Sequence, residues 1–416
     1  MRDLSKNPDP QGVITPVLIA GCLIMLVGFG VRASFGVFQL PVAQEFGWAR
    51  AEFSLAIAIQ NLAWGVGQPL FSMIAERWGD RRALALGALC YAVGLALAAQ
   101  ATTPEGHQLL NVVIGFGVAG LGFGVILSMV GRATHERRRS LALGIATAAG
   151  SAGQVVGPPL AEALLGVAGW DGAFLIFAAA VLATVLFLPL IPAGAPRAPA
   201  LEERFAVVLG QALRDPSYTL IFLGFFSCGY QLAFVTAHFP AFVAESCGPI
   251  DPSGFLASVG IGDASALGAW ALALIGATNI AGTLLAGQLG ARFSRKYLLS
   301  GIYLARTVVA AAFIMAPMTP LSVIAFSVAM GALWLATVPL TAGLVGHIYG
   351  LRYMGTLYGI VFFSHQLGSF LGVWLGGALY DRYGSYDLVW WIGVGVGAFS
   401  ALVHLPVRER PLAAFA

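Results

Sequence analysis

Runs of about 20 apolar residues recur along the chain, and each is long enough to cross the hydrocarbon core of a bilayer as a helix. The chain cannot fold as a soluble protein, because 58% of its 416 residues are apolar and only 10% are charged. Soluble domains carry about 25% charged residues. The sequence therefore predicts an all-α membrane protein with twelve membrane-spanning helices, at roughly 15–40, 52–75, 83–102, 108–131, 140–166, 172–191, 217–244, 266–290, 297–316, 321–346, 355–379 and 387–405.

Charge and cysteine content exclude several other classes of protein. The net charge is only +3, so nucleic acid is not an expected partner. The four cysteines have neither CxxC nor zinc-type spacing, so we expect no disulfide, metal site or cofactor. The helices carry no metalloprotease motif and no nucleophile elbow, and the chain has no nucleotide-binding loop, so an enzyme is not expected.

The distribution of Lys and Arg predicts the orientation of the helices. Segments on the side of the N-terminus contain eighteen basic residues, whereas only Arg50 and Arg382 lie on the opposite side. Because basic residues concentrate in cytoplasmic loops, both termini are predicted to be cytoplasmic.

Two loops divide the chain. A Pro/Ala/Gly run followed by a charged amphipathic segment predicts a cytoplasmic linker with a short interfacial helix at 192–216. This linker separates an N-terminal six-helix bundle, 1–191, from a C-terminal six-helix bundle, 217–416. The predicted external loop at 245–265 is rich in Gly and Pro, and its role as a passive connector or as a lid stays open.

The two halves are related in sequence. GVRASFGVFQLP at 30–41 and GYQLAFVTAHFP at 229–240 share a Gly, a Phe and a Pro at one spacing. LGIATAAGSAGQVVG at 143–157 aligns with YGIVFFSHQLGSFLG at 358–372, which pairs three glycines in each copy. Duplicated bundles of this kind bind substrate near the bilayer midplane, between halves that rock around the site.

Two further loops resemble a motif of the major facilitator superfamily. SMIAERWGDRR at 72–82 and GQLGARFSRK at 287–296 resemble its cytoplasmic loop G-x-x-x-D-R-x-G-R-R, with Ser72, Glu76 and Ala291 as departures. In that family the loop closes the cytoplasmic side when its acid pairs with arginines. The resemblance implies a cytoplasmic gate formed by Glu76, Arg77, Arg81 and Arg82. The second copy has lost its acid, so an asymmetric gate is expected.

Other stretches are similar to the monocarboxylate and oxalate/formate carriers of that superfamily. They are GSAGQVVGPP at 150–159, which resembles the general glycine–proline motif, and the branch-like stretches at 34–61, 236–243, 338–345 and 364–372. The resemblance implies the major facilitator fold, with two pseudo-symmetric six-helix bundles and rocker-switch alternating access. It also implies a bacterial inner (plasma) membrane location and a monomer in the lipid bilayer.

The ionisable residues deep in the apolar runs indicate the sign of the substrate. An ionisable group at the bilayer centre costs about 2.5 kcal/mol or more. Arg32, His238, Arg306 and His365 lie at such depth, while Glu162 lies near the end of its helix and no other acid lies deeper. Arginines without acidic partners are explained if the substrate supplies the negative charge, so an anionic substrate is predicted.

Each of these groups has a functional and a structural interpretation. Arg32 shares a helix face with Gly36 and Gln39 and is the favoured substrate contact, although a bond to helix carbonyls is the alternative. His238 and His365 are candidates for substrate binding and proton coupling, because imidazole titrates near neutrality. A neutral histidine bonded to a carbonyl is the alternative.

Arg306 and the uncharged polar residues are less clear candidates. The resembled carriers have a binding arginine on the eighth helix, where this chain has Asn279, so that role does not transfer to Arg306 on the ninth helix. A structural role is favoured for Arg306, with substrate binding as the alternative. Gln60, Asn61, Gln154 and Asn279 are further candidates for substrate binding, and hydrogen bonding between helices is the default for them.

The predicted function is secondary active transport of a small organic anion, a mono- or dicarboxylate, by proton symport or anion exchange. The alternative is an exporter of amphipathic drugs or toxic metabolites driven by proton antiport. Such exporters keep an acid in the cavity, which this chain lacks. A membrane receptor that has lost transport is a third reading.

Overall fold

The computed structural model describes residues 14–134, 136–192, 209–290, 292–349 and 354–411, without the side chains of residues 76, 136–141 and 354–356. These segments form helices joined by turns and short loops. In the N-terminal half the helices are α1 (Pro16–Ala33), a 3-10 turn (Phe35–Phe38), α2 (Gln39–Phe46), α3 (Arg50–Trp78), α4 (Asp80–Ala98), α5 (Pro104–Gly120), α6 (Phe123–Ala133), α7 (Glu136–Ala183) and a second 3-10 turn (Thr184–Leu190).

The C-terminal half begins with a short helical stretch at 209–214. The helices that follow are α8 (Pro216–Ser246), α9 (Phe255–Ser258), α10 (Ala264–Gly290), α11 (Arg295–Met315), α12 (Pro320–Leu333), α13 (Thr337–Tyr349), α14 (Met354–Tyr383) and α15 (Asp387–His404).

By length and hydropathy, ten helical stretches in the described residues qualify as membrane spans, two fewer than the twelve predicted. The difference lies in two places. Ala142–Leu190 counts once although it has 49 residues, and the backbone leaves helical geometry within it at Gly169, where φ is 72°. At about 1.5 Å per residue, this stretch is long enough for two crossings. Arg50–Trp78, the second predicted span, is a 29-residue helix that is absent from the ten.

Four helices begin at the same short sequence pattern. A capping residue precedes Pro in each, and its side-chain oxygen accepts a hydrogen bond from a backbone N–H of the first turn, as at Thr15, Thr103, Asp215 and Thr319. Proline lacks a backbone N–H, and it fits the first helical position because an N–H there would have no acceptor within the helix. The caps satisfy donors that the bilayer cannot.

Three predicted spans are interrupted. α1 ends at Ala33 and continues through a 3-10 turn into α2. α5 gives way to α6 around Gly122, and α12 gives way to α13 between Leu333 and Thr337. Such breaks expose backbone polar groups inside the protein, where side chains or a ligand must satisfy them.

Two hydrophobic cores lie side by side. One consists almost entirely of residues between Val17 and Ile191, and the other of residues between Ala212 and Val407. The predicted linker falls between them, but 193–208 lies outside the described residues. The limits of the two bundles therefore stay a prediction.

Equivalent glycines bring one helix pair together in each half. A Cβ on Gly157 of α7 would lie 2.1 Å from the Gly30 carbonyl oxygen of α1, and a Cβ on Gly372 of α14 would lie 2.3 Å from the Tyr230 carbonyl oxygen of α8. A Cβ on Gly153 or on its counterpart Gly368 would likewise be within 2.1 Å of a carbonyl oxygen across the same interfaces. The repeat read from the sequence thus corresponds to one packing arrangement that occurs twice.

We predict that Gly157→Ala and Gly372→Ala each destabilise the protein by about 1–3 kcal/mol, because the added methyl overpacks a backbone contact. The matched controls are Gly144→Ala in α7 and Gly359→Ala in α14, where an added Cβ meets nothing within 4 Å. Helix propensity predicts that the controls are neutral or slightly stabilising. Thermal unfolding in detergent measures the stability of all four variants. A loss of stability in the two controls equal to that in Gly157→Ala and Gly372→Ala would contradict the repeat-packing interpretation.

Candidate functional site

A small cavity lies between the two halves, where the break after α1 meets α3 and α8. Its volume is about 10 Å³, roughly the space of one water molecule. Three of the predicted site residues contribute to its wall, which consists of Arg32, Phe35, Gly36, Ile57, Gln60, Asn61, Ala233, Thr236 and Ala237. In this conformation the cavity beside Arg32 is too small for an organic anion.

The Arg32 guanidinium is only partly satisfied by the protein. Its Nη2 donates to Oδ1 of Asn61 at 2.8 Å, and its Cζ lies 4.6 Å from the centroid of the Trp64 ring. Its Nε is buried without a hydrogen-bond partner. Within the described segments, no carboxylate lies within ion-pair distance of Arg32. A cation with free donors in a cavity between the halves is suited to an anionic ligand.

Gly36 allows the two halves to approach closely beside Arg32. A Cβ at this position would lie 2.1 Å from the Thr236 carbonyl oxygen and 3.0 Å from that of Ala237. The 3-10 turn that contains Gly36 therefore packs directly on the backbone of α8. This contact closes one wall of the cavity.

Gln60 and Asn61 are both buried and both bonded. Gln60 Nε2 donates to Oδ1 of Asn111 at 2.9 Å, which ties α3 to α5. Asn61 Nδ2 donates to the Ile57 carbonyl oxygen, so its Oδ1 is left to face Arg32. Asn61 thus orients Arg32, while the amide of Gln60 mainly joins two helices of one half.

His238 links the halves away from this cavity. Its Nε2 lies 2.8 Å from the carbonyl oxygen of Val373, so Nε2 carries the proton and donates it. Nδ1 then accepts hydrogen bonds from Nε2 of Gln39 at 3.1 Å and from the hydroxyl of Tyr386 at 3.2 Å. Gln39 and His238 are equivalent positions of the two repeats, so this bond joins a residue to its own counterpart. Such a contact is expected near a pseudo-two-fold axis.

Arg306 lies at the break between α12 and α13, within the C-terminal half. It is fully buried, and its Nε and Nη2 donate to the Leu333 carbonyl oxygen at 3.1 and 2.8 Å. Nη2 also donates to the carbonyl of Trp334, and Nη1 lies 3.5 Å from Sγ of Cys228. A cation on the last carbonyls of a helix is favoured by the helix dipole. These contacts fit the structural role that the sequence favoured.

Asn279 supports the same break and also reaches the other half. Its Oδ1 accepts from the backbone N–H of Leu335 at 2.9 Å, and its Nδ2 donates to Oγ of Ser151 on α7 at 3.2 Å. Neighbouring Gln154 is half-buried where α7 packs against Gly276 of α10. Neither side chain lines the cavity around Arg32.

His365 lies in the C-terminal half, on the side of Cys228. Its ring stacks on that of Phe362 at 5.4 Å between centroids and packs 5.1 Å from the Phe225 ring. Its Nδ1 lies 3.5 Å from Oγ of Ser369, one helical turn along α14. The eight predicted binding residues thus fall into separate groups, with three around the cavity and five elsewhere.

Arg50, which the sequence analysis assigned no contact, forms a clasp between the halves. It forms an ion pair with Glu245 of α8 and donates to the hydroxyl of Tyr386 at 2.9 Å. Its Cζ also lies 3.6 Å from the centroid of the Tyr380 ring. We call this end of the molecule the Arg50 end and the opposite end of α3 the Arg77 end.

Asp381 completes the clasp by capping α3. Its Oδ1 accepts from the backbone N–H of Arg50 at 3.0 Å, and its Oδ2 accepts from that of Ala51 at 2.7 Å. A carboxylate of one half therefore satisfies the first turn of a helix in the other half, where the dipole favours a negative charge. One sequence signal for these contacts was available, because Arg50 and Asp381 both lie at helix ends that the predicted topology places on the same side of the membrane.

The predicted gate residues at the Arg77 end make different contacts. Arg81 donates to the carbonyl oxygens of Ile191 and Pro189, at 2.5 and 3.3 Å. Arg132 forms an ion pair with Asp80 at 2.5 Å. These bonds remain within the N-terminal half. Arg77 and Arg82 are exposed, and the side chain of Glu76 lies outside the described residues, so the gate stays a prediction.

The second copy of the loop motif obtains its acid from the C-terminal segment. Glu409 Oε1 lies 3.4 Å from Nη1 of Arg295 and also accepts from that residue's backbone N–H at 3.0 Å. Burial alone would raise the pKa of Glu409, but hydrogen bonds from Ser294, Arg295 and Lys296 together with the Arg295 charge outweigh it and lower the pKa. A distant carboxylate thus partners the arginine of a motif whose own acid is replaced by alanine.

We predict that Arg306→Gln lowers the stability of the folded protein, because it leaves buried carbonyl groups at the α12 break unpaired, at about 1–3 kcal/mol for each lost partner. Thermal unfolding in detergent tests the change, with exposed Arg292→Gln as a control of equal charge. In the fraction that remains folded, we expect substrate affinity close to that of the parent protein. An unchanged melting temperature with lost substrate binding would contradict the structural role.

Comparison with known proteins matches the chain to a family over nearly its whole length. The model of the Major Facilitator Superfamily matches residues 20–269 and 252–416. The uncharacterized MFS-type transporter YcxA of Bacillus subtilis is 26% identical over 393 residues, which cover 90% of both chains. Monocarboxylate transporter 13 of Bos taurus is 28% identical over 397 residues, or 91% of this chain and 86% of its own.

A shorter match relates the chain to the probable L-galactonate transporter of Escherichia coli, at 26% identity over 145 residues, 35% of this chain and 32% of that protein. These similarities confirm the resemblance read from the loops and from the carrier-like stretches. Together with the apolar helices, they identify a multi-pass membrane transporter for a small molecule rather than an enzyme. The chain belongs to the Major Facilitator Superfamily.

Proposed function

We propose that this chain is a secondary active transporter of a small organic anion, a mono- or dicarboxylate, with Arg32 as the principal anion contact. The observation that carries the proposal is the state of Arg32, a half-buried guanidinium at the cavity with one side-chain acceptor, Asn61, and a buried Nε that has no partner. Monocarboxylate transporters among the relatives agree with this substrate class.

A carboxylate matches the geometry of this group. The guanidinium offers parallel N–H donors that a carboxylate accepts in two-point contact. The Trp64 ring on one face of Arg32 and the apolar residues of the cavity wall make the surroundings of Arg32 less polar than water, which strengthens an ion pair. Thr236 lies across the cavity on α8, where its hydroxyl donates to the Leu232 carbonyl oxygen at 2.8 Å.

Rocker-switch alternating access is the proposed mechanism. Three side chains that join the halves, Arg50, Asp381 and His238, form their bonds toward the Arg50 end. Asn279 joins the halves at a separate place, through Ser151 of α7. At the Arg77 end, the ion pairs of Arg132 and Arg295 remain within one half each. This conformation therefore corresponds to closure at the Arg50 end, and transport requires these bonds to break while the Arg77 end closes.

Proton symport and anion exchange are both open for this site, and His238 and His365 are the proposed proton carriers. A proton on Nδ1 of His238 would remove the acceptor used by Gln39 and Tyr386, so protonation would weaken closure at the Arg50 end. If uptake by a His238→Gln, His365→Gln double variant still responds to a pH gradient, neither histidine is the proton carrier.

Orientation and location are part of the proposal. The Lys and Arg distribution supports cytoplasmic termini, which makes the Arg50 end external. The bacterial relatives support an inner-membrane location, and a monomer is proposed. A proton-driven exporter of amphipathic drugs is the alternative. The cavity supports it less, because its charged lining residue is an arginine.

We predict that Arg32→Gln lowers the apparent affinity for a carboxylate at least about tenfold, since hydrogen bonds to charged groups contribute about 1.5–3 kcal/mol. Counterflow of radiolabelled carboxylates in proteoliposomes measures the loss, and thermal-shift titration reports binding to the same variants. Arg32→Lys is expected to retain part of the affinity and Arg292→Gln all of it. Transport of a lipophilic cation that no carboxylate affects would overturn the anionic substrate.

We predict that Asp381→Asn weakens closure at the Arg50 end, because the carboxylate charge on the first turn of α3 is lost. Hydrogen–deuterium exchange of the Arg50 and Ala51 amides should speed up several-fold, because the asparagine amide offers one acceptor oxygen where the carboxylate offered two. Asp387→Asn is the matched control, an exposed acid at the same end on α15. Exchange that stays slow in both variants would rule out the clasp as a determinant of closure.

A further inference from the structure

A second, open pocket lies at the Arg77 end of the C-terminal half. It has a volume of about 600 Å³ and is formed where α11 begins, α13 ends and the chain continues beyond α15. Its lining residues are Ser294, Lys296, His347, Pro406, Val407, Arg408, Glu409 and Arg410. It shares no residue with the cavity around Arg32.

Basic side chains dominate the lining of this pocket. Lys296, Arg408 and Arg410 are permanently charged, and His347 is exposed beside them. In the described part of the chain, none of these four side chains forms an ion pair. Lys296 Nζ instead donates to the carbonyl oxygen of Leu405 at 3.0 Å. The pocket therefore holds an excess of positive charge with donors left for a ligand.

The acid in the pocket is already engaged. Oε2 of Glu409 accepts from Oγ of Ser294 at 2.5 Å and from the backbone N–H of Lys296 at 3.4 Å, while Oε1 is bound to Arg295. Glu409 thereby caps the start of α11, where the helix dipole favours a negative charge. Because its oxygens face α11, this carboxylate does not neutralise Arg408 and Arg410.

Aromatic side chains indicate where the pocket lies relative to the bilayer. Phe293 and Tyr297 flank Ser294 and Lys296, and each is 60% exposed. Lys296 Nζ lies 4.9 Å from the centroid of the Tyr297 ring. Exposed aromatic rings at the end of a membrane helix, together with lysine, are typical of the headgroup region. The pocket therefore opens at the level of lipid headgroups.

We propose that this pocket binds a phosphate group, supplied by the headgroup of an acidic phospholipid. Arginine and lysine donors on separate elements converge on one opening, which suits an oxyanion with several acceptor oxygens. The bound phosphate ties the segment 406–410 to the start of α11 and the end of α13. This site is independent of the transported anion and of Arg32.

The test uses the purified full chain in detergent and follows its melting temperature against added dioctanoyl phosphatidylglycerol. A saturable increase is expected, and net-neutral dioctanoyl phosphatidylcholine should not produce it. In the double variant Arg408→Gln, Arg410→Gln the apparent affinity should fall at least tenfold. Both side chains are exposed, so the variant is expected to fold. Arg292→Gln, an exposed arginine at the same end outside the pocket, should leave the affinity unchanged.

Titration with inorganic phosphate separates the two sources of the ligand. If inorganic phosphate raises the melting temperature at concentrations comparable to those of the lipid, and the double variant loses this increase, the pocket is a phosphate site and its ligand is the free ion. A lipid effect without a phosphate effect supports the headgroup. Equal effects of the two lipids, or equal affinities in the parent protein and double variant, would overturn the proposal, and lipid adducts counted by native mass spectrometry check the same comparison.

Discussion

The hydrocarbon core offers no hydrogen bonds, so every broken helix and every charge inside this protein must find its partner within the chain. Arg306 and Asn279 meet this requirement at the break between α12 and α13, where they satisfy backbone carbonyl and N–H groups that water would satisfy in a soluble protein. Their charge and polarity are therefore used up by the fold. Arg32 is different, because Asn61 and the Trp64 ring leave its Nε without a partner. The same physical rule thus distinguishes an arginine whose donors bond to the backbone from one that has a donor left unpaired.

Contacts within the halves and contacts between them can be compared. Within each half, glycines bring one helix pair together at the same place in the repeat, through Gly157 and Gly372, and these contacts rely on the absence of a side chain. Between the halves, close backbone approach also occurs at Gly36, and side-chain hydrogen bonds join Asp381 to α3 and Gln39 to His238. The proposed alternating access requires these hydrogen bonds to exchange for water and the Gly36 contact to separate, while the glycine contacts within each half stay packed.

Sequence reasoning located the cavity residues better than it located the other candidates. Arg32, Gln60 and Asn61 line the cavity, because the end of α1 and the middle of α3 both face the C-terminal half. The sequence alone did not distinguish these three residues from Gln154, His365 and Arg306. All six lie at depth in the bilayer, and depth does not tell which group of another helix each side chain contacts. The twelve predicted spans and the ten found by length and hydropathy differ only at Ala142–Leu190, which has room for two crossings across the Gly169 break, and at α3, so the twelve-helix count stays a prediction.

The sequence by itself determined the membrane class, the internal repeat and the sign of the charge at depth, because apolar run length, glycine register and Lys/Arg placement are local properties of the chain. Only the tertiary structure decided what each charge faces. Arg50 meets Glu245 at a separation of 195 residues, and Glu409 meets Arg295 at 114. Neither pair is marked by spacing, since both depend on how the helices pack. The difference between an arginine that caps a broken helix and one that is left for a ligand has the same origin.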